Sequence, residues 1–153
     1  MFLGLIALVV SIVLSVFLSR KYVDRSNYYN SFYNFNKSLK NEVAFTHKTI
    51  LGVVNSNIKS NDYFYKRLKA KFIDKEILKE KPSFITKEEI EYLDNYLEVI
   101  GGSDVKTQLS ILDKTEETLS DNLNKSKLDE KRYKSLYIKI GVLIGLLLFV
   151  LII

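Results

Sequence analysis

The sequence predicts an all-α protein, a bundle of about five to six helices with a transmembrane helix at each end. Its 153 residues include one proline, Pro82, and six glycines, too few for the turns of a loop-rich β protein. Both ends of the chain are apolar runs, and apolar residues recur at helical spacing between them. These three observations together favour helices over strands throughout.

The first element is an apolar run from Phe2 to Leu18, which at about 1.5 Å per residue is long enough for one membrane crossing. A cleaved signal peptide is the competing interpretation. It requires a basic region before the run, whereas Arg20 and Lys21 follow it directly. We therefore expect an uncleaved anchor over residues 1–19.

Small residues mark one face of each apolar run, and such faces let helices approach closely in lipid. The candidate residues for membrane-helix packing are Gly4, Ala7, Ser11 and Ser15 in the first run and Gly141 and Gly145 in the last. Glycine and serine are also simply common in membrane helices, so the competing interpretation is that these faces have no partner.

The middle of the chain predicts the continuation of the first helix and two further helices. Phe32, Phe35, Leu39 and Val43 form a stripe that continues the first helix, and at this spacing a core is favoured over a base-stacking platform. Thr46 or Thr49 caps a short helix. A third helix starts at Asp62 and ends before Pro82, with Leu68, Phe72, Ile73 and Ile77 inside.

A helical hairpin follows. Thr86-Lys-Glu-Glu89 is a capping box, and it opens a fourth helix whose stripe is Ile90, Leu93, Leu97 and Ile100. Gly101 and Gly102 end that helix, with one of them expected at positive φ, and Ser103 or Asp104 caps the next one. The predicted hairpin turn is therefore Gly101, Gly102 and Asp104.

The last fifty residues predict a single helix that leaves the bundle and enters a bilayer. Its apolar stripe is Val105, Leu109, Leu112, Leu119, Leu123, Tyr133 and Tyr137. From Ile140 onward the chain is wholly apolar apart from its glycines. No proline interrupts the passage from the amphipathic part to the apolar part, so we expect one continuous helix.

Charge is distributed unevenly. Residues 20–81 hold 14 basic and 6 acidic side chains, and residues 125–139 hold 6 basic and 2 acidic ones. Between them, residues 86–122 hold only 3 basic but 10 acidic side chains. Basic groups beside both apolar runs fit lipid headgroups better than nucleic acid. In the acidic stretch, Glu88, Glu91, Asp94 and Glu98 are a candidate partner surface, although such a row is more often a solvated helix face.

The sequence offers no chemistry for catalysis, so we expect a protein that is not an enzyme and has no cofactor. Cysteine is absent, and His47 is the single histidine, without an acidic neighbour nearby. We expect His47 at the surface or in a helix cap. No glycine-rich phosphate loop occurs, so ATP binding is not expected. Paired glutamates without histidine partners favour a solvated face over a metal site.

Two stretches resemble the stage III sporulation protein AB family of endospore-forming bacteria. Gly101-Gly-Ser-Asp104, with Gln108 four residues on, is similar to the family's Leu-Gly-x-Ser-Asp-x-x-x-Gln. Lys131-Arg-Tyr-Lys-Ser-Leu136, with the Gly-Val-Leu-Ile-Gly-Leu run from Gly141, is similar to the family's Tyr-Arg-Ser-Leu-Gly-Val-Leu-x-Gly-Leu ending. The chain has an insertion, 137–140, between these two parts.

The resemblance implies a structural role in a secretion-like channel that joins mother cell and forespore during engulfment. It implies a helical domain similar to that of the type II secretion F protein. The implied partners are a separate cytoplasmic ATPase of the secretion type, stage III sporulation protein AA-like, and other channel subunits. It places the chain in the cell membrane on the mother-cell side, the outer forespore membrane, with its helical domain in the cytoplasm.

The sequence therefore predicts an anchor at 1–19, a cytoplasmic helical domain at 20–138 and a transmembrane helix at 139–153. The expected function is a platform or adaptor subunit of the sporulation channel. The alternative is a self-associating coiled-coil tether or stator without a secretion role, and a lipid- or nucleic-acid-binding module comes third. The expected partners include the membrane and the ATPase but no nucleic acid, with homo-oligomer formation left open.

Because basic residues lie beside both apolar runs on the side of the helical domain, we predict that both ends lie outside the cytoplasm. The chain has no cysteine of its own, so a cysteine introduced at Met1, directly after the initiator methionine, or at Ser60 is the single thiol of its variant. An impermeant thiol reagent added to intact cells should label the first variant and spare the second. Labelling of Ser60→Cys from outside would contradict this topology.

Overall fold

A computed structural model describes residues 2–45, 50–57, 62–102 and 104–152, and within these ranges it contains five α-helices and no strand. The helices are α1 (Phe2–Phe45), α2 (Ile50–Asn57), α3 (Tyr63–Lys69), α4 (Lys87–Gly102) and α5 (Val105–Ile152), and a π-helical turn, Ala70–Asp74, follows α3. The predicted all-α fold with long apolar helices at both ends is confirmed. The two long helices are each continuous, over 44 and 48 residues.

The internal contacts divide the chain into two compact units. The helix-pair unit comprises Met1–Ser26 and Lys125–Ile153, and the bundle unit comprises Asn27–Asn124. The boundaries predicted from the sequence, at residues 19 and 139, mark the ends of the membrane-spanning segments and not the limits of the packing units, and they stay a prediction.

The bundle unit has one aromatic-rich core, because helical spacing brings the apolar residues of each helix onto one face. The predicted stripes of α1 and α4 are confirmed, since all eight of their members are buried. Phe64 of α3 stacks on Phe32 of α1 with ring centroids 4.9 Å apart, and Tyr96 of α4 meets Phe32 edge-on at 4.8 Å. Aromatic packing therefore joins α1, α3 and α4.

A buried carboxamide ties three helices of the bundle unit together. The Nδ2 of Asn36 in α1 donates to the carbonyl of Leu112 in α5 at 3.0 Å. The hydroxyl of Tyr96 in α4 donates to Asn36 Oδ1 at 3.1 Å. Both Asn36 and Tyr96 are almost wholly buried, and burial raises the pKa of the Tyr96 phenol well above its ordinary value. The neutral phenol is therefore the donor that this network requires.

The predicted third helix is wrong in length. It ends in the π-helical turn, after which Lys75 adopts a left-handed conformation (φ 54°) and the Glu76 N–H donates to the Ala70 carbonyl. Residues 75–82 then have no regular structure. Ile77, predicted inside, is 87% exposed, and Ile73 is also exposed. The apolar spacing continues past the point where these backbone contacts stop the helix.

Side-chain caps fix the start of α4 and of α5. The predicted capping box is confirmed, because the Thr86 N–H donates to Glu89 Oε2 at 2.8 Å and the Glu89 N–H donates to Thr86 Oγ1 at 3.3 Å. Asp104 caps α5 by accepting from the Thr107 N–H at 3.0 Å. The Gln108 amide spans the hairpin, donating to the Ile100 carbonyl at 2.7 Å.

Part of the α5 stripe was predicted wrongly, and some predictions lie outside the described residues. Leu112, Leu119 and Leu123 are buried, whereas Val105, the first residue of α5, is 50% exposed. The predicted roles of Thr46, His47, Thr49 and Ser103, and the labelling positions Met1 and Ser60, fall outside the described residues.

Replacing the buried carboxamide should destabilise the bundle unit. We expect Asn36→Ala to lower the free energy of unfolding by about 1–3 kcal/mol, because the Tyr96 hydroxyl loses its acceptor and the Leu112 carbonyl loses its donor. Denaturant unfolding of the full chain in detergent, followed by circular dichroism, measures the change. Asn34→Ala, at an exposed position of the same helix, is the matched control. Equal effects of the two substitutions would show that the network contributes nothing.

Candidate functional site

The helix-pair unit brings α1 and α5 into direct, antiparallel contact. Ser11 Oγ donates to the Gly141 carbonyl at 2.8 Å across 130 residues of sequence. A Cβ placed on Gly145 would lie 3.1 Å from the Leu8 Cα, and one placed on Gly4 would lie 2.9 Å from Phe149 Cδ2. Successive contact residues along α1, Gly4, Leu8 and Ser11, lie against Phe149, Gly145 and Gly141 of α5, so the two helices run in opposite directions.

The small residues predicted for helix packing lie on the contacting faces. Gly4, Ser11, Ser15, Gly141 and Gly145 are buried, and Ala7 is half-buried. Ser15 Oγ donates to the Ser11 carbonyl of its own helix at 2.9 Å. A Cβ on Gly141 would lie 2.1 Å from that Oγ, so no larger residue fits there without separating the helices. Glycine at this position is what permits the close approach.

The outward faces of the same pair are apolar. Only 17% of the most apolar stretch of α1 and 11% of that of α5 is buried in the chain itself. Exposed residues include Phe2, Leu5, Val9, Val13, Phe17, Leu143, Leu147 and Leu151. A soluble protein does not expose an apolar surface of this extent and bury serine and glycine instead. Both helices are long and apolar enough to cross a membrane, and their exposure separates them from the core helices of a soluble protein.

Aromatic and basic side chains lie where the apolar part of the pair ends. Tyr22 of α1 stacks on Tyr133 of α5 with ring centroids 4.5 Å apart, and Tyr137 lies 6.1 Å from Tyr22. The Lys21 ammonium lies 5.0 Å from the Tyr22 ring centroid, and the Arg132 guanidinium 5.7 Å from that of Tyr133. Tyrosine beside basic residues is typical of the headgroup level of a bilayer.

The four residues of the predicted acidic surface on α4 differ in their ion-pair partners within the bundle unit. Asp94 accepts two hydrogen bonds from Arg67 of α3, at 2.7 and 2.5 Å, and this pairing raises the pKa of the Arg67 guanidinium. Glu98 lies 3.6 Å from Lys71. Glu91 pairs with Lys87 one turn away at 3.5 Å. Asp94 is therefore engaged in holding α4 against α3.

Glu88 and Glu91 remain outward on the first turns of α4. Both are exposed, and the Glu91–Lys87 pair is a surface pair of the kind that contributes little to stability. Hydrogen bonds from its own backbone N–H and from Thr86 lower the pKa of the Glu88 carboxyl. This carboxylate therefore stays charged well below neutral pH. Of the four predicted surface residues, Asp94 and Glu98 pair with Arg67 and Lys71, whereas Glu88 and Glu91 present their charge with no ion pair to another helix among the described residues.

A pocket that the sequence analysis missed lies beside them. Its volume is about 310 Å³, and it lies between α1, α4 and α5. The lining residues are Tyr28, Tyr29, Phe32, Glu88, Glu89 and Tyr92, with Thr118 and Asn122 of α5. Tyr92 is 40% exposed, and it lies off the buried stripe of α4. An aromatic residue outside its helix's apolar stripe was the one signal that could have indicated this aromatic pocket.

The other site predictions have mixed outcomes. Gly101 and Gly102 are the last residues of α4, and Asp104 caps α5; the positive φ of one glycine stays a prediction. Among the described residues, no group of three or more His, Cys, Asp or Glu side chains is placed to hold a metal ion. That the chain is not an enzyme and needs no cofactor stays a prediction as well.

The comparison with protein families identifies a family for this chain. The family model described as stage III sporulation protein AB matches residues 66–153, which include α4 and all of α5. This is the family that the hairpin and the final helix resemble in sequence. No curated protein and no solved structure matches the chain.

A larger residue at Gly141 should separate the helix pair. Cysteines at Tyr22 and Tyr133 report the pairing, because those rings stack in the structure. We expect Gly141→Ile to reduce the yield of the intramolecular disulfide in isolated membranes severalfold, since its side chain would overlap Ser15. Leu143→Phe, at an exposed position of the same helix, is the control and should leave the yield unchanged. An undiminished disulfide in Gly141→Ile would contradict the packing.

Proposed function

Because the chain belongs to the stage III sporulation protein AB family, which gives it a role in sporulation, we propose that it is a membrane-anchored platform or adaptor subunit of a channel complex between mother cell and forespore. The observation that carries the proposal is the polarity of the helix pair, which is apolar outward and small or polar inward. Such a pair fits a bilayer and attaches the chain to it.

The proposed location is the mother-cell side of the outer forespore membrane, with the bundle unit in the cytoplasm. The basic residues Arg20, Lys21 and Arg25 and those of 125–139 support this orientation, because cytoplasmic flanks of membrane helices are enriched in lysine and arginine. The antiparallel contact supports one part of this topology, a shared side for both ends, since antiparallel helices leave both ends of the chain on one side of the membrane.

The proposed partner of the bundle unit is a secretion-type cytoplasmic ATPase, stage III sporulation protein AA-like, together with other channel subunits. A domain similar to that of the type II secretion F protein is part of this proposal. On this chain we propose that the ATPase meets the start of α4, where Glu88 and Glu91 present negative charge. A negative patch that meets a positive patch on the partner speeds association and helps to select that partner.

The alternative function, a coiled-coil tether, has less support from the bundle unit. That interpretation needs the α5 stripe to face a second chain. Leu112, Leu119 and Leu123 are instead buried against the other helices of the same chain. The stripe therefore has its partners already, and it is not available to form a coiled coil without opening the bundle.

Charge reversal at the start of α4 tests the ATPase contact. We expect Glu88→Lys with Glu91→Lys to weaken capture of the ATPase by the full chain at low salt, with the difference shrinking as ionic strength rises. Asp94 is left unchanged, because reversing it would break its ion pair with Arg67. Glu117→Lys with Asp121→Lys is the control, since both are exposed acidic residues of α5 and the change in net charge is the same.

Capture that is equal for both double variants at every ionic strength would remove this part of α4 from the proposed interface. It would leave the sporulation role and the membrane attachment unaffected, because neither depends on that surface.

A further inference from the structure

The loop that replaces the end of the predicted third helix presents an apolar side chain on a fixed backbone. We call residues 75–82 the Ile77 loop. Ile77 is 87% exposed, whereas its neighbour Leu78 packs against the core. A single exposed apolar residue is ordinary on a protein surface. The backbone before and after Ile77 is held by hydrogen bonds. A fixed backbone of this kind favours the use of an exposed apolar side chain in an interface.

Three hydrogen bonds hold the Ile77 loop. The Glu76 N–H donates to the Ala70 carbonyl at 2.9 Å. Arg67 Nη1 donates to the Leu78 carbonyl at 3.1 Å, and the Tyr63 hydroxyl donates to the Glu80 carbonyl at 3.1 Å. Because the backbone is already ordered, a partner that covers Ile77 would not have to order it on binding. Such preorganisation raises the affinity that one buried side chain can give.

The Ile77 loop also carries positive charge. Lys75 and Lys79 lie on either side of Ile77, and both are exposed. The loop also contains Glu76, directly before Ile77, and Glu80, but with Lys81 its three lysines outnumber the two glutamates, so its net charge is positive. A receiving surface needs the opposite pattern, an apolar concavity whose edge is acidic.

The aromatic pocket has that pattern on the same unit. Its walls include Tyr28, Phe32 and Tyr92, and Glu88 and Glu89 lie at its edge. The loop and the pocket use different flanks of α4. Asp94 and Glu98 of α4 help to line a second cavity, of about 230 Å³, that also contains Ile77, whereas Glu88, Glu89 and Tyr92 line the aromatic pocket. A chain thus offers the loop on one flank and the pocket on another.

We propose that the Ile77 loop of one copy of this chain docks into the aromatic pocket of a second copy. Ile77 enters between the aromatic rings, and the lysines beside it meet the carboxylates at the pocket edge. The two surfaces differ, so the contact is head-to-tail, and a pair of copies keeps one free pocket and one free loop for further copies. Copies in one membrane would therefore form a ring or a row.

Cross-linking between two differently tagged full-length chains in membranes tests this contact. One chain carries Glu76→Cys, beside the intact Ile77, and the other carries Thr118→Cys, in the pocket wall; neither has another cysteine. Oxidation should yield a dimer that contains both tags. Ser110→Cys, at an exposed position of α5 outside the pocket, replaces Thr118→Cys as the control and should yield no such dimer.

Adding Ile77→Asp to the first chain should reduce the mixed dimer at least about tenfold, the change expected when a central interface residue is lost. Val105→Asp, another exposed apolar position, is the matched substitution and should leave the yield unchanged. Lys79→Glu in the first chain should weaken the cross-link, and Glu88→Lys in the second should restore it. This charge exchange keeps the test decisive if Ile77→Asp impairs folding.

Several outcomes would overturn the proposal. They are an equal yield with Ile77→Asp, an equal yield with Ser110→Cys, dimers of the Glu76→Cys chain alone, or a cross-link only to a different protein. Absence of any dimer, with both thiols reactive towards a maleimide, would overturn it as well. The Ile77→Asp result does not bear on the ATPase, because the proposed ATPase surface does not include Ile77. The Glu88→Lys result bears on both proposals, because Glu88 belongs to both surfaces.

Discussion

The bundle unit depends on one buried side chain, the carboxamide of Asn36. Apolar packing alone would define the relative positions of α1, α4 and α5 less closely, because apolar contacts are non-directional. The Asn36 amide accepts from Tyr96 and donates to the Leu112 carbonyl, so each helix is fixed at one residue of its neighbour. A misaligned arrangement would leave these groups buried without partners, at a cost that apolar contacts do not impose. Register in this unit is therefore specified by polar atoms and stabilised by apolar ones.

Each long helix buries one kind of residue in the bundle unit and the opposite kind in the helix-pair unit. In the bundle unit α1 buries Phe32 and Phe35 and exposes polar residues, as a helix in water does. In the helix-pair unit the same helix buries Ser11 and Ser15 and exposes leucine and valine. Close approach of backbones replaces side-chain bulk as the source of packing there, since apolar side chains gain nothing by leaving lipid for one another. The change of pattern within one helix is the strongest physical sign of a change of solvent.

Sequence periodicity predicted most of the fold, because the side on which a residue lies in a helix follows from its spacing. It correctly identified the buried stripes of α1 and α4 and the capping box at Thr86. It failed at the end of α3, where Phe72, Ile73 and Ile77 keep a helical spacing although the helix stops. Hydrogen bonds from Arg67 and Tyr63 to later carbonyls hold the chain there, and no local pattern encodes them. Likewise the acidic row of α4 was visible, but the pairing of Asp94 with Arg67, 27 residues away, was not.

The antiparallel helix pair has a consequence for the order in which the protein is made. Ser11 and Gly141 are separated by 130 residues, and at a synthesis rate of about 5–20 residues per second the ribosome needs roughly 7–26 s to cover that distance. During this time α1 has no partner for its serine face, and its hydroxyls must be satisfied within their own helix, as the Ser15–Ser11 hydrogen bond shows is feasible. The bundle helices α2 to α4 are complete before the pair can close. Assembly of this chain therefore ends, rather than begins, with the joining of its first and last segments.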